Sequence, residues 1–580
     1  MLKNGVVKII YKKGPKTDLQ NYRPITLLNV DFKIYTKCLI KRITPALGGL
    51  LSPHQFAAPG RKIQQAATLA RDLYDYASNK KIDAFLIALD FQKAFDSINQ
   101  DFLQKVLTTI GLPTHFTEIV EAINTSTRSQ ILINGYLTKP VTMERGVRQG
   151  DPLSMLLFLI SVEPLAIAIQ NNTNIQGIQP IGRKSITTCR YADDCTLTLT
   201  HATSVKEAFQ EITLFEQACG LRLNKNKSYG LHCRPSNETT KDLPDIPWTN
   251  QSISILGVVI GTPTNIAKAW KTNIRTFKEE IRKYTSYTLT YNAKAILLKS
   301  KLLPQLAYIT QVYPLSAPLK NEITNSIENF VTGNAKLKIP IDTLALPLNQ
   351  GGYKIPNIAL YCDLLFLKLT AEYCKNRKEE KALSDEMAFT EYNIGLQLAN
   401  LLTFPPKNHL PHAIHPSRFY SCALAYCRKY KLTFEDLSTF KTSTIYKLQI
   451  ARRQNTSATA TGTHWEKVHL SIISNSLCTF NYRSIWKILP ITTKLYTPTP
   501  DGPTLCVLCQ TQQETFEHLC LQCTNILPVS TYIVDLIKRV TGIYLKPSLE
   551  LCVQFNFPPN AISHTDLLVL LYTVTRHSIW

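Results

Sequence analysis

Hydrophobic and polar positions change period several times along the first 260 residues. Ala84-Phe85-Leu86-Ile87-Ala88-Leu89 is apolar throughout, as expected for a buried strand, and it ends in Asp90. Cys195 to Thr200 alternates apolar and polar with period two, and Ser185 to Arg190 is rich in β-formers. Tyr191-Ala192-Asp193-Asp194 therefore falls in the tight connection of a β-hairpin. Val6 to Tyr11 reads as an earlier strand and Ile255 to Gly261 as a later one. A hairpin over about 129–142 turns at Asn134-Gly135. Helical patterns cover a basic amphipathic segment ending near Ile43, then about 64–77, 102–110, 116–123, 152–169 and 205–218. The order β-α-β-β-α-β from Phe85 to Gly261 predicts a split βαβ sheet with helices on one face, an α/β (α+β) architecture. Beyond it, Trp270 to Tyr287, Tyr291 to Thr310 and Glu322 to Asn334 predict a three-helix unit. Gly351-Gly352-Tyr353 marks a turn. Residues 360–498 read as helices with Pro-rich joints and a basic stretch at Lys447 to Arg453.

The acids at the hairpin tip admit two readings. Asp tolerates turn geometry, so a solvated turn is one. Adjacent carboxylates repel, however, and need a compensating cation. The strand ending in Asp90, laid beside the hairpin, brings that acid to face Asp193. Such a cluster is a hard oxygen site suited to Mg²⁺ and to the paired ions of phosphoryl transfer. Arg23, Lys33 and Arg61 could hold a triphosphate; for Lys33 and Arg61 the alternative is an ordinary solvated position. Phe95, five positions past Asp90, is either a core phenylalanine or a ring filling the space of a ribose 2′-hydroxyl. Asp96 suits a local cap or an ion pair better than a metal. Asp151-Pro152 starts a helix, and the preceding Gln149-Gly150 permits close approach under a nucleotide or template base.

Composition narrows the partners. Among 580 residues the net charge is +23 and the pI about 9.3, with basic residues spread along the chain. A lined groove for a polyanion follows, with nucleic acid the first candidate and an acidic membrane surface the weaker one. Fifteen cysteines, mostly scattered, argue against a disulfide scaffold and for a reducing compartment. The N-terminus has no apolar signal core, and the apolar stretch Leu153 to Ile169 is interrupted by Glu163-Pro164, so it suits a buried helix better than a membrane span. A nuclear or cytoplasmic protein, neither secreted nor membrane-spanning, is expected. The one dense cysteine cluster, Cys506, Cys509, His518 and Cys523, has the spacing C-x2-C-x8-H-x4-C of a tetrahedral Zn²⁺ site. Cys520 is a possible substitute for Cys523.

In this order the pieces resemble the reverse transcriptases of non-LTR (LINE-type) retrotransposons. The residues that carry the resemblance are Asn21-Tyr22-Arg23-Pro24-Ile25, Phe32-Lys33-Ile34, Leu89 to Asp96, Arg148 to Ser154, Tyr191 to Asp194, Asn224 to Ser228, and Leu256-Gly257. The resemblance implies a right-hand polymerase, with fingers at 1–84 and a palm at 85–262 that carries a fingers insertion at about 111–145. A helical thumb at 263–340, a helical linker region at 341–500, a zinc-binding segment at 501–525 and a helical tail at 526–580 would follow. It also implies RNA-templated DNA synthesis from dNTPs at a DNA primer 3′-hydroxyl. Asp90, Asp193 and Asp194 would hold two Mg²⁺ ions, with the backbone carbonyl of Phe91 as a further ligand. Arg23 and Lys33 would contact phosphates, Arg61 less directly. Phe95 would be the steric gate against ribonucleotides, and Gln149 and Gly150 would pack against the nascent base pair. Lys227 would give a proton to pyrophosphate, with Lys225 second. The zinc segment would help grip element RNA or target DNA. Neither an upstream endonuclease nor the segment such enzymes place before the fingers is recognisable, so a fragment or a decayed copy is expected. Rival readings are a noncatalytic nucleic-acid-binding remnant, an RNA-dependent RNA polymerase, against which Phe95 argues, and a maturase or telomerase, against which the zinc segment argues.

Overall fold

The computed structural model describes residues 4–125, 127–180, 185–234, 243–333, 339–379, 418–454, 464–486, 488–489, 491 and 505–579. They divide into two compact units. The first comprises residues 1–271, 369–425 and 433–438, and the second 272–368, 426–432 and 439–580.

The first unit is built on two sheets. One is formed by β1 (Gly5–Tyr11), β2 (Tyr22–Leu28), β4 (Arg128–Ile133), β5 (Tyr136–Leu137) and β6 (Val141–Thr142). Its order is β2-β1-β4-β5, with β6 also on β4; β1 runs antiparallel to β2 and parallel to β4. The β4–β5 turn is Asn134-Gly135, both at positive φ (50° and 89°), which is the twist a two-residue hairpin requires. The other sheet contains β3 (Ala84–Leu89), β7 (Thr188–Tyr191), β8 (Asp194–Thr200), β9 (Tyr229–His232) and β10 (Trp248–Thr249) in the order β10-β9-β3-β8-β7. β3 is antiparallel to both of its neighbours. This is the split βαβ arrangement, and its fourth strand is β9.

Two expectations need correction. Residues 255–261 are not one strand. Leu256 and Gly257 take positive φ (51° and 77°) and turn β11 (Ser252–Ile255) back onto β12 (Val258–Gly261) as a separate two-stranded sheet. The apolar run conceals a hairpin, because its turn residue is a leucine. Nor do helices cover only one face of the palm. Phe85, Ile87, Leu89, Leu197 and Leu199 join the core containing the helix Pro152–Asn171. On the opposite face lies the helix Ile63–Lys80, where the Cys189 thiol of β7 donates to the Ala66 carbonyl at 3.2 Å. The reason is in β3, which has no polar side to present to water, so both faces must be buried.

The helix Pro152–Asn171 is the one described helix long and apolar enough to cross a membrane, but most of it is packed in this core. Asp151 caps it by accepting from the Leu153 N–H at 3.0 Å. Its Glu163 meets Arg190 of β7 at 2.9 Å, both side chains being about 95 % buried. Arg190 also donates to Ser52 Oγ at 2.6 Å, and Glu163 accepts from the Ser52 N–H at 2.8 Å. Helix, hairpin and the loop around residue 52 are thus locked by one ion pair.

The described part of the second unit is mainly helical. The expected helix from Tyr291 to Thr310 is observed as Tyr291–Leu297, a wider π turn over Leu298–Leu302, and Pro304–Val312. Pro304 lacks the N–H that an unbroken helix needs, which accounts for the irregular turn before it. The third helix runs Ala317–Thr332; the expected end at Asn334 lies outside the described residues. Lys320 pairs with the fully buried Asp363, which also accepts from Lys429 at 2.9 Å and Tyr430 at 2.6 Å. Gly351, at φ 81°, leaves no room for a Cβ, which would sit 2.5 Å from the Trp465 ring, and its carbonyl accepts from the Tyr482 hydroxyl at 2.7 Å. Of the expected helical stretch 360–498, the helices Ile358–Glu379, Arg418–Tyr430, Thr442–Gln454 and Asn475–Ile485 are described; 380–417, 455–463 and 492–498 lie outside the described residues, and nothing is described of the Arg453 side chain.

The Arg190–Glu163 pair gives a direct test. Glu163→Leu leaves a buried guanidinium without its countercharge and should cost about 3–5 kcal/mol, read as a lowered urea midpoint. An unchanged midpoint would mean that the pair is not a lock.

Candidate active site and metal centre

The acids come together by strand register. Leu89 pairs with Cys195, so Asp90, one residue on, emerges beside Asp194, the first residue of β8. Tyr191 pairs with Asp194 across a two-residue turn, Ala192-Asp193. Ala192 sits at φ 55°, a conformation that carries strain for any residue with a Cβ, and it is buried. The chain after β3 is fixed by residues 222–228. The Asn224 N–H donates to the Asp90 carbonyl at 2.7 Å, and the Asp90 N–H donates to Ser228 Oγ at 3.0 Å. Phe91 is bridged to Leu223, and the Gln92 N–H donates to the Arg222 carbonyl at 2.8 Å.

The electrostatics are those of a site short of positive charge. Burial, then Asp193 and Asp90, push Asp194 up to about 6. Burial also raises Asp193, with Asp90 adding to the rise and Arg23 and Lys12 opposing it. Burial lowers Lys12, together with Arg23 and Lys13, while Asp90 and Asp193 raise it. Lys12 thus belongs to the acid cluster. Along the sequence, Lys12-Lys13-Gly14-Pro15 has the composition of a basic turn, and that is the one local signal for this residue. A cleft of about 580 Å³ opens beside the acids, lined by Asp90, Asp194, Lys227, Tyr229 and Trp248 among others. Lys227 is exposed at the end of a short 3₁₀ turn, Lys225–Lys227, and Lys225 is not among the lining residues.

Arg23 is exposed on β2. Lys33 lies near Asp151, whose carboxyl burial raises and whose capping bond, Arg148 and Lys33 lower. Arg61 is turned inward, donating to the carbonyls of Ser52 (2.6 Å) and Gln55 (2.9 Å). Phe95 is half-buried and stacked on Phe158, with ring centroids 4.3 Å apart and planes at 20°. Gln149 donates to both Asp96 carboxylate oxygens (3.1 and 3.2 Å), giving Asp96 its partner. The Gln149 carbonyl accepts from the Thr26 N–H at 2.7 Å, and a Cβ on Gly150 would lie 2.2 Å from the Thr26 carbonyl oxygen. Only glycine permits β2 to approach this loop so closely. Besides Lys12, two contributors were not foreseen: Ser228, and Gln55, which accepts from the Ala192 N–H at 3.1 Å.

In the second unit, Cys506, Cys509, His518 and Cys523 bring their ligand atoms within 4.8 Å of one another; it is the one such Cys/His/acid group among the described residues. Cys506 and Cys523 sulfurs are 3.9 Å apart, and Cys509 Sγ is 3.3 Å from His518 Nε2. The Gln510 N–H donates to the Cys506 carbonyl at 2.8 Å, closing a tight knuckle. The Thr511 hydroxyl, other turn contacts and His518 hold the Cys509 thiol down to about 5. Three thiols and an imidazole at this spacing suit tetrahedral Zn²⁺. Cys520 stays outside the group, and burial pushes its thiol up to about 11.

With this geometry in view, comparison with known proteins is specific. Residues 10–260 match the family model described as reverse transcriptase (RNA-dependent DNA polymerase). Residues 440–528 match the model described as zinc-binding in reverse transcriptase. In sequence, residues 10–260 are thus similar to reverse transcriptases, and the relatives that share this region are transposon and retrotransposon proteins. The chain is 30 % identical over 264 residues to the transposon TX1 uncharacterized 149 kDa protein of Xenopus laevis, covering 44 % of this chain and 20 % of that protein. It is 24 % identical over 313 residues to the Pol polyprotein of retrotransposable element R2 from Popillia japonica, covering 52 % of this chain and 43 % of the relative. The R2DM polyprotein of Drosophila melanogaster is 22 % identical over 380 residues, covering 63 % and 34 %. The chain therefore spans between a fifth and just under half of the length of these relatives. Among solved structures, telomerase from Candida Tropicalis with a fragment of telomeric RNA aligns with a TM-score of 0.36 at 11 % identity, covering 68 % of this chain and 64 % of that one.

The acid cluster makes stability depend on pH. The folded first unit raises Asp194 from 3.8 to about 6, so between these values the folded state binds more protons than the unfolded one. Stability is therefore higher at low pH and falls as pH rises through about 6. Asp194→Asn removes that penalty. In Mg²⁺-free buffer without chelator, the variant should melt above wild type at about pH 7.5, with the gap closing towards about pH 4. A variant melting at or below wild type at the higher pH would contradict the assignment.

Proposed function

We propose that this chain is an RNA-directed DNA polymerase, extending a DNA primer 3′-hydroxyl with dNTPs on an RNA template. The observation that carries the reading is the meeting of Asp90, Asp193 and Asp194 beside an open cleft, with Lys12 and Arg23 acting on their charge. Bound by those carboxylates and the Phe91 carbonyl, two Mg²⁺ ions would activate the primer 3′-oxygen and neutralise the triphosphate and departing pyrophosphate. The shortage of positive charge at the acids is what a divalent ion relieves.

The chain's own residues do the rest. Arg23 and Lys33 contact phosphates, and Lys12 joins them. Arg61 acts through the loop whose carbonyls it holds. Lys227, free at the cleft edge, gives the proton to pyrophosphate; Lys225 stands outside the lining. Phe95 excludes the ribose 2′-hydroxyl, and its stack on Phe158 makes it stiff enough to do so. Gly150, with Gln149 tethered by Asp96, offers backbone to the nascent base pair. Cys506, Cys509, His518 and Cys523 hold one structural Zn²⁺, ordering a segment that helps grip RNA or target DNA. A net charge of +23 suits both polyanions.

Primer extension on an RNA template with dNTPs and Mg²⁺ tests the polymerase. Wild type should extend, and Asp193→Asn should lose at least about a hundredfold, since fixed charges at a transition state are worth roughly 10²–10³. A folded wild type that never extends a primer sinks the reading and leaves nucleic-acid binding alone. For zinc, metal analysis should find one ion per chain, lost on Cys506→Ser and kept on Cys520→Ser. Metal-free wild type would end that assignment.

A further inference from the structure

The loop from Pro53 to Ala58 supplies none of the reacting groups above, yet it is built against the acidic turn. The Arg190 N–H donates to the His54 carbonyl at 2.9 Å, and the Phe56 N–H donates to the Arg190 carbonyl at 2.8 Å, so the loop extends the sheet past β7 by a short parallel rung. Between these bonds the Gln55 side chain, fully buried, turns under the hairpin tip. Its Oε1 accepts from the Ala57 N–H at 3.2 Å and the Ala192 N–H at 3.1 Å. Two donors meet that end, so it is the oxygen. Nε2 is left buried with no hydrogen-bond partner among the described residues. With its nitrogen unpaired, what the carboxamide contributes is the acceptor for the Ala57 and Ala192 N–H groups, which an apolar side chain could not supply. The bond that is made falls on Ala192, whose φ of 55° lets the turn put Asp193 at its tip and Asp194 at the head of β8.

We propose that Gln55 is a positioning residue for the metal-binding turn. Its oxygen holds the Ala192 peptide in the strained conformation, and this sets where Asp193 and Asp194 stand relative to Asp90. Arg61 supports the same device from behind, since its guanidinium holds the carbonyls of Ser52 and Gln55. The inference rests on the proposed polymerase reading for its consequence, but its direct readout is metal affinity, which can be measured without turnover.

The test is Mn²⁺ titration by electron paramagnetic resonance on the full zinc-loaded chain, with primer-extension kinetics alongside. Gln55→Met removes the acceptor at constant length, and Gln55→Asn withdraws it by one methylene. Groups that orient metal ligands are worth about 10–100-fold in affinity. Both variants should weaken Mn²⁺ binding by at least about tenfold, with kcat lowered and the dNTP KM changed by less than about twofold at saturating metal. Ser52→Ala, which loosens the loop but keeps the Gln55 bond, should leave Mn²⁺ affinity as in wild type. A folded Gln55→Met or Gln55→Asn chain with wild-type Mn²⁺ affinity overturns the proposal, as does equal loss in Ser52→Ala. Asp193→Asn serves as the reference. If it binds Mn²⁺ as wild type does, the metal site itself is misassigned, a failure distinct from that of the positioning role.

Discussion

Mutual repulsion of three carboxylates is the constraint around which the first unit is arranged. Burial raises the proton affinity of Asp193 and Asp194, and the neighbouring carboxylates add to it: Asp90 at Asp193, and Asp193 with Asp90 at Asp194. Nothing in their own side chains favours the meeting, so the backbone must impose it. It does so by pairing β3 with β8 in a register that leaves no freedom, since a slip of one residue would send every side chain to the other face of the sheet. The apolar filling of both faces, the Glu163–Arg190 ion pair and the Gly150 approach to β2 all stiffen the same frame. The loss of stability at the site is offset by a core that has little to do with chemistry.

What could be read from the sequence follows from how locally each feature is encoded. Asp90 terminates an apolar strand and Asp193-Asp194 tip an alternating hairpin, so both positions were visible in short windows. The Cys/His group was visible for the same reason: its four ligands lie within 18 residues, and the spacing itself states the geometry. Asn134-Gly135 announced its turn. Leu256-Gly257 did not, because leucine at positive φ has no composition signal, and one apolar run hid two strands. Lys12 and Gln55 were missed because their roles exist only across long loops. Gln55 meets Ala192 from 137 residues away, and no pattern along the chain predicts that encounter.

The thiol group and the acid cluster, the two candidate metal sites, illustrate opposite solutions to the same problem. At the thiol group the ligands are carried on one knuckle and one short helical turn, and Cys506, His518 and Cys523 are almost wholly buried. A metal there substitutes for a core that so short a segment cannot build. At the acids, the ligands come from two strands of a large sheet and face an open cleft. The frame there rests on the buried core of the sheet, and the opening leaves room for a ligand to arrive and leave.

The unbroken apolar character of β3 also bears on how the molecule comes to be made. β3 pairs with β8, whose first residue lies more than a hundred positions further along the chain. At about 5–20 residues per second of synthesis, the run Ala84 to Leu89 leaves the ribosome about 5–20 s before its central partner exists. Throughout that interval an uncharged, wholly apolar segment stands without its neighbour, the condition under which nascent chains associate wrongly. The helix Ile63–Lys80, already synthesised and able to cover one face of the strand, is the protection the chain carries upstream of the hazard. The long-range pairing that brings the acids together thus makes the birth of the polypeptide its most vulnerable period.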